Sequence, residues 1–439
     1  MNNKNLAINL ILSFFSAVLI YSAILVFPFL VWVAFVPLFF LVWRNTFREV
    51  VLFALLVSFL IAIGSSYWVV NFDRKFFYLL ILYICSFFFF FTIILSLIFS
   101  KFRNVFLFLV PGLLYVLIYK IYSLTPVGEY WFNLAILQPR FSFLISWLKE
   151  AGMMVLILTV NASLFFSIIN KKRLYYIIFL LGITGVLFFS YYYGHNKIAD
   201  GRRVRVAVIQ GNFSQEWDWR EENSTGLIME KYFQLSRQAA TEKPDLIIWP
   251  EYAVPTNLGA EKEVYQKISD LAKELKVNLI IGSMINDGLI AEDGKVYFFD
   301  SAFAFNRQGE LIGRYDALHP FPYKTNNSAG DGYLVFETDA GRVGITICYD
   351  EVFEKVYRDY DKLGVDFFVG ISNNAPVKNY FTMRWRKLFA ELRAVTYEKY
   401  YIQATNTGYS QVIDPFGNII ESLPIDHEGY MVTDIYLGW

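Results

Sequence analysis

Two residues far apart in the chain carry the types that nucleophilic chemistry needs. Cys348 ends the apolar run of ITICYDEVF, and Glu251 ends the apolar run of DLIIWPEYAVP. A thiol becomes a nucleophile at neutral pH only beside a base or a positive field. A carboxylate at the end of a buried strand is costly unless it is hydrogen-bonded or functional. Each residue also has a plainer reading. Glu251 could cap a neighbouring helix, and a lone buried cysteine is often an inert small hydrophobe. Their pairing strengthens the reading as base and nucleophile. Between them the loop YDALHPFPYKTNN carries His319 and Lys324, for which loop packing and a surface position are the competing readings. The second cysteine, Cys85, lies inside an apolar run, so a disulfide to Cys348 is not expected. Neither zinc-type spacing nor Cys-x-x-Cys occurs, so no metal and no cofactor is expected.

The segment that must position these residues begins near Arg203. VRVAVIQG reads as a short strand, LIMEKYFQLSRQAATE as an amphipathic helix and DLIIWPE as a buried strand. ISDLAKELKVNLIIGSMI repeats helix then strand, and VYFFDSAFAFNRQGELIGRYD reads as a hairpin with a Gln-Gly turn. GRVGITICYDEVF is a strand running into the cysteine. FFVGISNNA is a strand, WRKLFAELRAVTYEKYY a helix and IQATNTGYSQVIDPFGNII a final hairpin. Buried strands alternating with helices, with antiparallel hairpins added, describe a layered α/β or α+β domain.

Everything before that segment is of a different kind. The chain of 439 residues is 56% hydrophobic and 19% aromatic, and its apolar residues are concentrated before about residue 193. Candidate membrane spans cover 6–26, 29–43, 50–70, 76–99, 105–122, 152–169 and 174–193. The second is short and has an alternative as half of a re-entrant hairpin around Pro28. Lys4, Arg44, Arg48, Lys101, Arg103 and Lys171-Lys172-Arg173 fall on alternate loops, offset by Glu49. The positive-inside rule puts that side in the cytoplasm and everything after the seventh span in the periplasm. The first span is read as a retained helix rather than a cleaved signal. Residues 123–150, with TPVGEYWFNLAILQP, read as aromatic residues at the lipid headgroup level, or as a lid or re-entrant arm. Lys+Arg and Asp+Glu balance at 39 each, which gives no basic surface for nucleic acid. The expected organisation is a transmembrane bundle of about seven helices over 1–195 and an extracytoplasmic domain over 196–439, with no transmembrane helix at the C-terminal end.

WPE, ICYDE, SNNA and RAVTYEKYYIQATNTGYS together resemble the nitrilase superfamily of carbon–nitrogen hydrolases. With the apolar bundle in front, QGNFSQEW at the domain entry, TPVGEYWFNLA and Asn161 of NASL, the chain is similar to the apolipoprotein N-acyltransferases of that superfamily. The resemblance implies an αββα sandwich and a Glu–Lys–Cys triad. It implies transfer of an acyl chain from a phospholipid, through a cysteine thioester, to the amino-terminal diacylglyceryl-cysteine of a lipoprotein, at the inner membrane. The family lysine aligns with Ala317 in YDALHPFPYKT, so Lys324 takes its place as a displaced cation. The family's Cys-Tyr-Glu appears as Cys348-Tyr349-Asp350, followed by Glu351.

The expected site therefore has Glu251 as general base, Cys348 as acyl carrier and Lys324 as cation. The Tyr349 N–H contributes to the oxyanion hole. Glu351 is expected at the substrate, and Trp217 or Trp219 either holds acyl chains or packs in the core. Two rivals stand beside this reading. One is a degenerate nitrilase-like protein that binds lipid or lipoprotein without turnover, favoured by Ala317. The other is an amidase or acyltransferase acting on another membrane substrate.

Overall fold

The computed structural model describes residues 3–71, 73–102, 105–128, 131–171, 173–197, 200–213, 224–286, 288, 296–321, 327–375 and 379–438. Trp217, Trp219 and Lys324 lie outside the described residues. The chain divides into two compact units, Met1–Gly194 and His195–Trp439.

The first unit is helical, because runs this apolar must satisfy their own backbone within a bilayer. Its helices are α1 (Asn3–Leu25), α2 (Val36–Arg44), α3 (Phe47–Ser66), α4 (Arg74–Lys101), α5 (Val110–Tyr122), α6 (Ser142–Ile169) and α7 (Arg173–Asn196). Among the described residues, five stretches are long and apolar enough to cross a membrane: Asn3–Ile24, Phe47–Val70, Arg74–Lys101, Ser142–Ile169 and Arg173–Asn196. Large apolar side chains such as Leu174, Leu181 and Phe188 stand exposed on α7, as a lipid-facing surface requires. This is a multi-pass membrane protein.

The other two apolar helices, Pro28–Arg44 and Phe106–Tyr122, are shorter. The expected span 29–43 is broken into a 3-10 helix at Pro28–Trp32 and α2. Two buried amides hold the break. The Asn161 Oδ1 accepts the Phe35 N–H at 2.9 Å and its Nδ2 donates to the Val31 carbonyl at 2.8 Å. The Gln138 amide donates to the Pro28 carbonyl at 2.8 Å and accepts the Trp32 indole N–H at 3.1 Å. The aromatic segment before α6 is drawn in with them. Trp131, Phe132 and Leu134 are buried inside the unit rather than turned to its surface.

The second unit contains two sheets. Its elements are β1 (Arg202–Gln210), α8 (Ser224–Ala240), β2 (Leu246–Ile248), α9 (Lys262–Leu275), β3 (Asn278–Ile285), β4 (Phe298–Phe305), β5 (Leu311–Asp316), β6 (Asn327–Ser328), β7 (Val335–Thr338), β8 (Gly341–Ile347), α10 (Glu354–Lys362), β9 (Phe367–Ser372), α11 (Tyr380–Tyr397), β10 (Tyr401–Thr405), β11 (Gln411–Ile413), β12 (Ile419–Ser422) and β13 (Gly429–Leu437). One sheet runs β13-β1-β2-β3-β4-β5, with β6 on β4, and the other runs β12-β11-β10-β9-β8-β7. α8 and α9 cover the first sheet, and α10 and α11 the second. This is the expected αββα sandwich. Its first-sheet core packs Trp249, Ile247 and Ile281 against Tyr232 and Phe233 of α8.

The sheets repeat one topology. Strands β1, β2 and β3 are parallel, β4 and β5 follow antiparallel, and β13 closes the edge antiparallel to β1. In the second sheet β8, β9 and β10 are parallel, β11 and β12 follow antiparallel, and β7 closes the edge antiparallel to β8. The Gln308-Gly309 turn between β4 and β5 is present, with Gly309 at φ 78°. The helix expected over WRKLFAELRAVTYEKYY begins earlier, at Tyr380, and ends at Tyr397, which frees Tyr401 to open β10. Strand β13 and helix α10 complete the two halves.

Candidate active site

In α/β sheets, ligands gather beyond the carboxyl ends of parallel strands. Glu251 and Cys348 both lie there, one in each half. At β2 the ladder continues through the Trp249 N–H, which donates to Ile280 O at 2.8 Å, and stops at Pro250, which has no N–H. The chain rejoins the sheet when the Val254 N–H donates to Gly282 O at 3.0 Å. Residues 250–253 bulge out between these bonds and carry Glu251. The bulge passes so close over β3 that a Cβ on Gly282 would lie 2.5 Å from Pro250 O and 2.7 Å from Glu251 Cα. Only glycine fits beneath it. Trp249 does not face the site. Its indole N–H donates to Ser236 Oγ at 2.9 Å in the core.

Glu251 is almost fully buried and accepts the Asn373 N–H at 2.6 Å. That bond joins the end of β2 to the end of β9 across the two sheets. The Asn373 side chain in turn accepts from Asn406 at 3.1 Å, and Asn406 brackets Phe213 through its N–H at 2.9 Å and its carbonyl at 2.8 Å. QGNF, WPE, SNNA and TNTG therefore meet in one network that orients the carboxylate.

Cys348 follows β8 at φ 51°, a left-handed conformation that a non-glycine residue adopts at a cost. Asp350 holds this turn. Its Oδ2 accepts the Ile347 N–H at 3.2 Å and the Tyr315 hydroxyl at 2.8 Å, and its Oδ1 accepts the His319 N–H at 2.8 Å. His319 packs as a loop residue, its ring stacked 3.8 Å from Phe353. Ala317 is buried, its N–H donating to Asp300 O at 2.9 Å, so no side-chain charge stands at that position. Tyr349 sits in the 3-10 helix Cys348–Val352, its ring edge-on to Phe321.

Three residues join the site that the sequence reading missed. Asn373 is the first. Tyr252, at φ 57°, follows Glu251 and meets the Asn327 side chain. Burial, then the neighbouring Asp300, Glu251 and Cys348, keeps its phenol protonated far above the usual range. Arg386, on α11, is the third. Its Nη1–H donates to Cys348 Sγ at 3.5 Å and to Asn374 Oδ1 at 3.3 Å, its Nη2–H donates to Cys348 O at 3.1 Å, and its Nε pairs with Glu351. Glu351, expected as a substrate contact, is thus a buried partner of Arg386 and reaches the site through that guanidinium. Burial pushes the Glu351 carboxyl up to about 7, while Arg386 draws it back down. Burial opposes the Arg386 charge, and Glu351, Cys348 and Glu251 together hold it well above its ordinary value. Glu251 accepts the Asn373 N–H, and Arg386 bonds both the neighbouring Asn374 and Cys348, so the carboxylate and the thiol lie at one centre. Among the described residues no cluster of His, Cys, Asp and Glu is arranged to hold a metal ion.

A thiol at a strained strand end and a buried carboxylate thus meet on an αββα sandwich. The carbon-nitrogen hydrolase family matches residues 205–438, and this chain belongs to it. A protein of Geobacter metallireducens named apolipoprotein N-acyltransferase is 31% identical over 261 residues, covering 54% of this chain and 49% of that protein. One of the same name from Aquifex aeolicus is 24% identical over 282 residues, covering 61% and 62%. The chain spans about half the length of the curated relatives it matches. A crystal structure of a carbon-nitrogen hydrolase from Helicobacter pylori aligns with TM-score 0.44 and 18% identity, covering 53% of this chain and 88% of that one.

Proposed function

We propose that this protein transfers an acyl chain from a phospholipid, through a thioester on Cys348, to the amino-terminal diacylglyceryl-cysteine of a lipoprotein. The observation that carries the reading is that Glu251, bonded to the Asn373 N–H, and Cys348, joined to Asn374 through Arg386, converge beyond the strand ends of a chain whose described residues include five membrane-length stretches. The names of the relatives support the same substrates. Glu251 takes the thiol proton, and the sulfur attacks the ester carbonyl of the phospholipid. The tetrahedral oxyanion is met by the Tyr349 N–H and by Lys324. The lysophospholipid leaves with the proton from Glu251. The acceptor amine then attacks the thioester, gives its proton to Glu251 and releases the thiolate. Trp217 or Trp219 is assigned to the acyl chains and Glu351 to the substrate side through Arg386. The basic loops at Lys4, Arg44, Lys101 and Lys171 favour a cytoplasmic amino terminus and a periplasmic catalytic domain in the inner membrane.

A second reading, a lipid or lipoprotein binder without turnover, is favoured by one observation: the buried Ala317 where the family has its lysine. One experiment separates the two. The purified protein is incubated with phospholipid and no acceptor, and its peptides are analysed by mass spectrometry. An acylated Cys348 peptide is expected, labile to hydroxylamine, discharged by a diacylglyceryl-cysteine peptide and lost in Cys348→Ala. A wild type that never acylates supports the binder, and acylation that survives Cys348→Ala removes the assigned nucleophile.

A further inference from the structure

We propose that Arg386 is a catalytic residue whose guanidinium holds the Cys348 sulfur as a thiolate, both before it attacks and when the thioester is discharged. The inference rests on the thioester reading above and adds a group that the motifs do not contain. Three observations carry it.

The first is geometry. Four acceptors surround the guanidinium: the Cys348 sulfur and carbonyl, the Asn374 amide oxygen and the Glu351 carboxylate. The Glu351 and Asn374 contacts fix the planar fork, and the Nη1 edge is left lying against the sulfur. A pair serving stability alone would need Nε on Glu351 and nothing on the thiol. An N–H contact to sulfur gains most when the sulfur is charged, as charge-assisted hydrogen bonds do.

The second is burial. The Arg386 side chain is 12% exposed and that of Glu351 is 3% exposed, so solvent screens their field weakly. Arginine also keeps its charge at every working pH, which a buried lysine does not.

The third is the charge around the sulfur. Glu251 and Tyr252 come from the bulge after β2, with Asp300 on β4 next to Tyr252. Glu351 comes from the turn after Cys348, with Arg393 of α11 acting on it from behind. Asp350 and His319 close the turn itself. The acids in this set all work against a thiolate. Arg386 is the cation that the described residues put in contact with the sulfur, and an opposite charge that close favours the thiolate. Lys324 keeps a separate task at the carbonyl oxygen, where charge appears only in the tetrahedral intermediate.

The test uses the full-length protein in detergent and reads the thiol directly. The rate of iodoacetamide alkylation at Cys348 is followed against pH by peptide mass spectrometry. A free cysteine gives a midpoint of about 8.5. The wild type is expected at least about one unit lower, on the scale of a close opposite charge. Arg386→Met combined with Glu351→Gln, which leaves no orphaned buried charge, is expected to raise the midpoint by about one unit or more. Glu351→Gln alone should leave it in place or lower it, because only an anion is removed. Arg386→Lys should raise it part of the way, because a buried lysine holds its charge less firmly. A folded double variant with the wild-type midpoint overturns the proposal. So does an equal rise in Glu351→Gln alone, which would mark the pair as scaffolding. If the double variant does not fold, Arg386→Lys and Glu351→Gln decide: an Arg386→Lys midpoint that does not move, or a rise of a full unit in Glu351→Gln, overturns it. A midpoint that rises in Lys324→Ala and stays fixed in the Arg386 variants assigns the cation to Lys324 and also overturns it. A low, Arg386-dependent midpoint without any thioester sinks the acyl-transfer reading and leaves this one standing. A thioester with a midpoint indifferent to Arg386 does the reverse.

Discussion

In the first half of the distal unit the chain leaves β1 through Gly211-Asn212 and β2 through Pro250-Glu251. In the second half it leaves β8 through Cys348 and β9 through Asn373-Asn374. The strand ends are topological equivalents, and β1 and β8 both pass into a left-handed residue, Asn212 at φ 53° and Cys348 at φ 51°. Asn212 suits that conformation and is tied down: its N–H donates to Asn406 O at 3.0 Å and its amide to Asp426 O at 2.9 Å. Cysteine does not suit it. A left-handed residue just past the strand therefore serves cohesion in one half and presents a thiol at a conformational cost in the other. The two site-bearing turns also differ in what shapes them. The Glu251 bulge is set by a neighbour's missing side chain, at Gly282. The Cys348 turn is set by a side chain within it, Asp350.

The sharpest way to break this contrast is Gly282→Ala. The new Cβ meets backbone on the Glu251 bulge at 2.5 and 2.7 Å, and backbone cannot swing aside as a side chain can. Overpacking of this kind costs about 1–3 kcal/mol. A displacement near 1 Å at the base costs roughly a hundredfold in rate. Thioester formation should fall by about that factor while the alkylation midpoint of Cys348 changes much less, because the Arg386 contact to the sulfur is built within the second half. Loss of both together would mean that the two turns are not independently built.

Asp350→Asn tests the other turn and should do less harm. One carboxylate oxygen becomes an NH2 group facing N–H or O–H donors, and either the His319 N–H or the Ile347 N–H and Tyr315 hydroxyl lose their acceptor. Leaving such groups unsatisfied costs about 1–3 kcal/mol. Side chains can readjust here, so thioester formation should drop by about tenfold, the equivalent of 1.4 kcal/mol. Hydrogen exchange at the Ile347 and His319 amides should quicken with it. Unchanged exchange at both amides would remove Asp350 from the turn.

Which of these features could be read from the sequence follows from how far each signal travels. Glu251 and Cys348 could be singled out because each interrupts an apolar run at its end, where a polar residue has a local meaning. The αββα layers were legible from alternating runs and from the family motifs. Arg386 was not. In RWRKLFAELR, charges at Arg384, Arg386, Lys387, Glu391 and Arg393 look like a solvated helix face. In the fold α11 is enclosed on most of its surface, with Arg393 fully buried, so periodicity cannot tell which charge turns inward. Helix α10 was missed because its apolar face is only Val356, Tyr357 and Tyr360. For the span 29–43 the sequence offered only its shortness and a re-entrant hairpin around Pro28 as an alternative, because Asn161 and Gln138, which hold the break, lie more than a hundred residues away. Hydropathy reads neighbours along the chain, and these contacts cross it.

The smallest effect isolates the conformational cost itself. Cys348→Ala and Cys348→Gly both remove the thiol, so neither forms a thioester, and they differ only at Cβ. In ordinary strand or helix positions glycine is the less stable of the two by about 0.5–1 kcal/mol, because it has more backbone freedom to lose. At φ 51° the order should reverse, since a Cβ in the left-handed region costs about 1–2 kcal/mol per residue. Setting one against the other leaves Cys348→Gly ahead by about 1.5 kcal/mol at most. Hydrogen exchange of the β8 amides reads this local opening directly, and they should exchange up to about tenfold more slowly in the glycine variant. Asn212→Gly provides the comparison in the other half. Asparagine already tolerates this region, and its amide bond to Asp426 is lost, so the β1 amides should gain no protection. Alanine ahead of glycine at position 348 would mean that the turn after β8 carries no strain and that its likeness to the turn after β1 is one of topology alone.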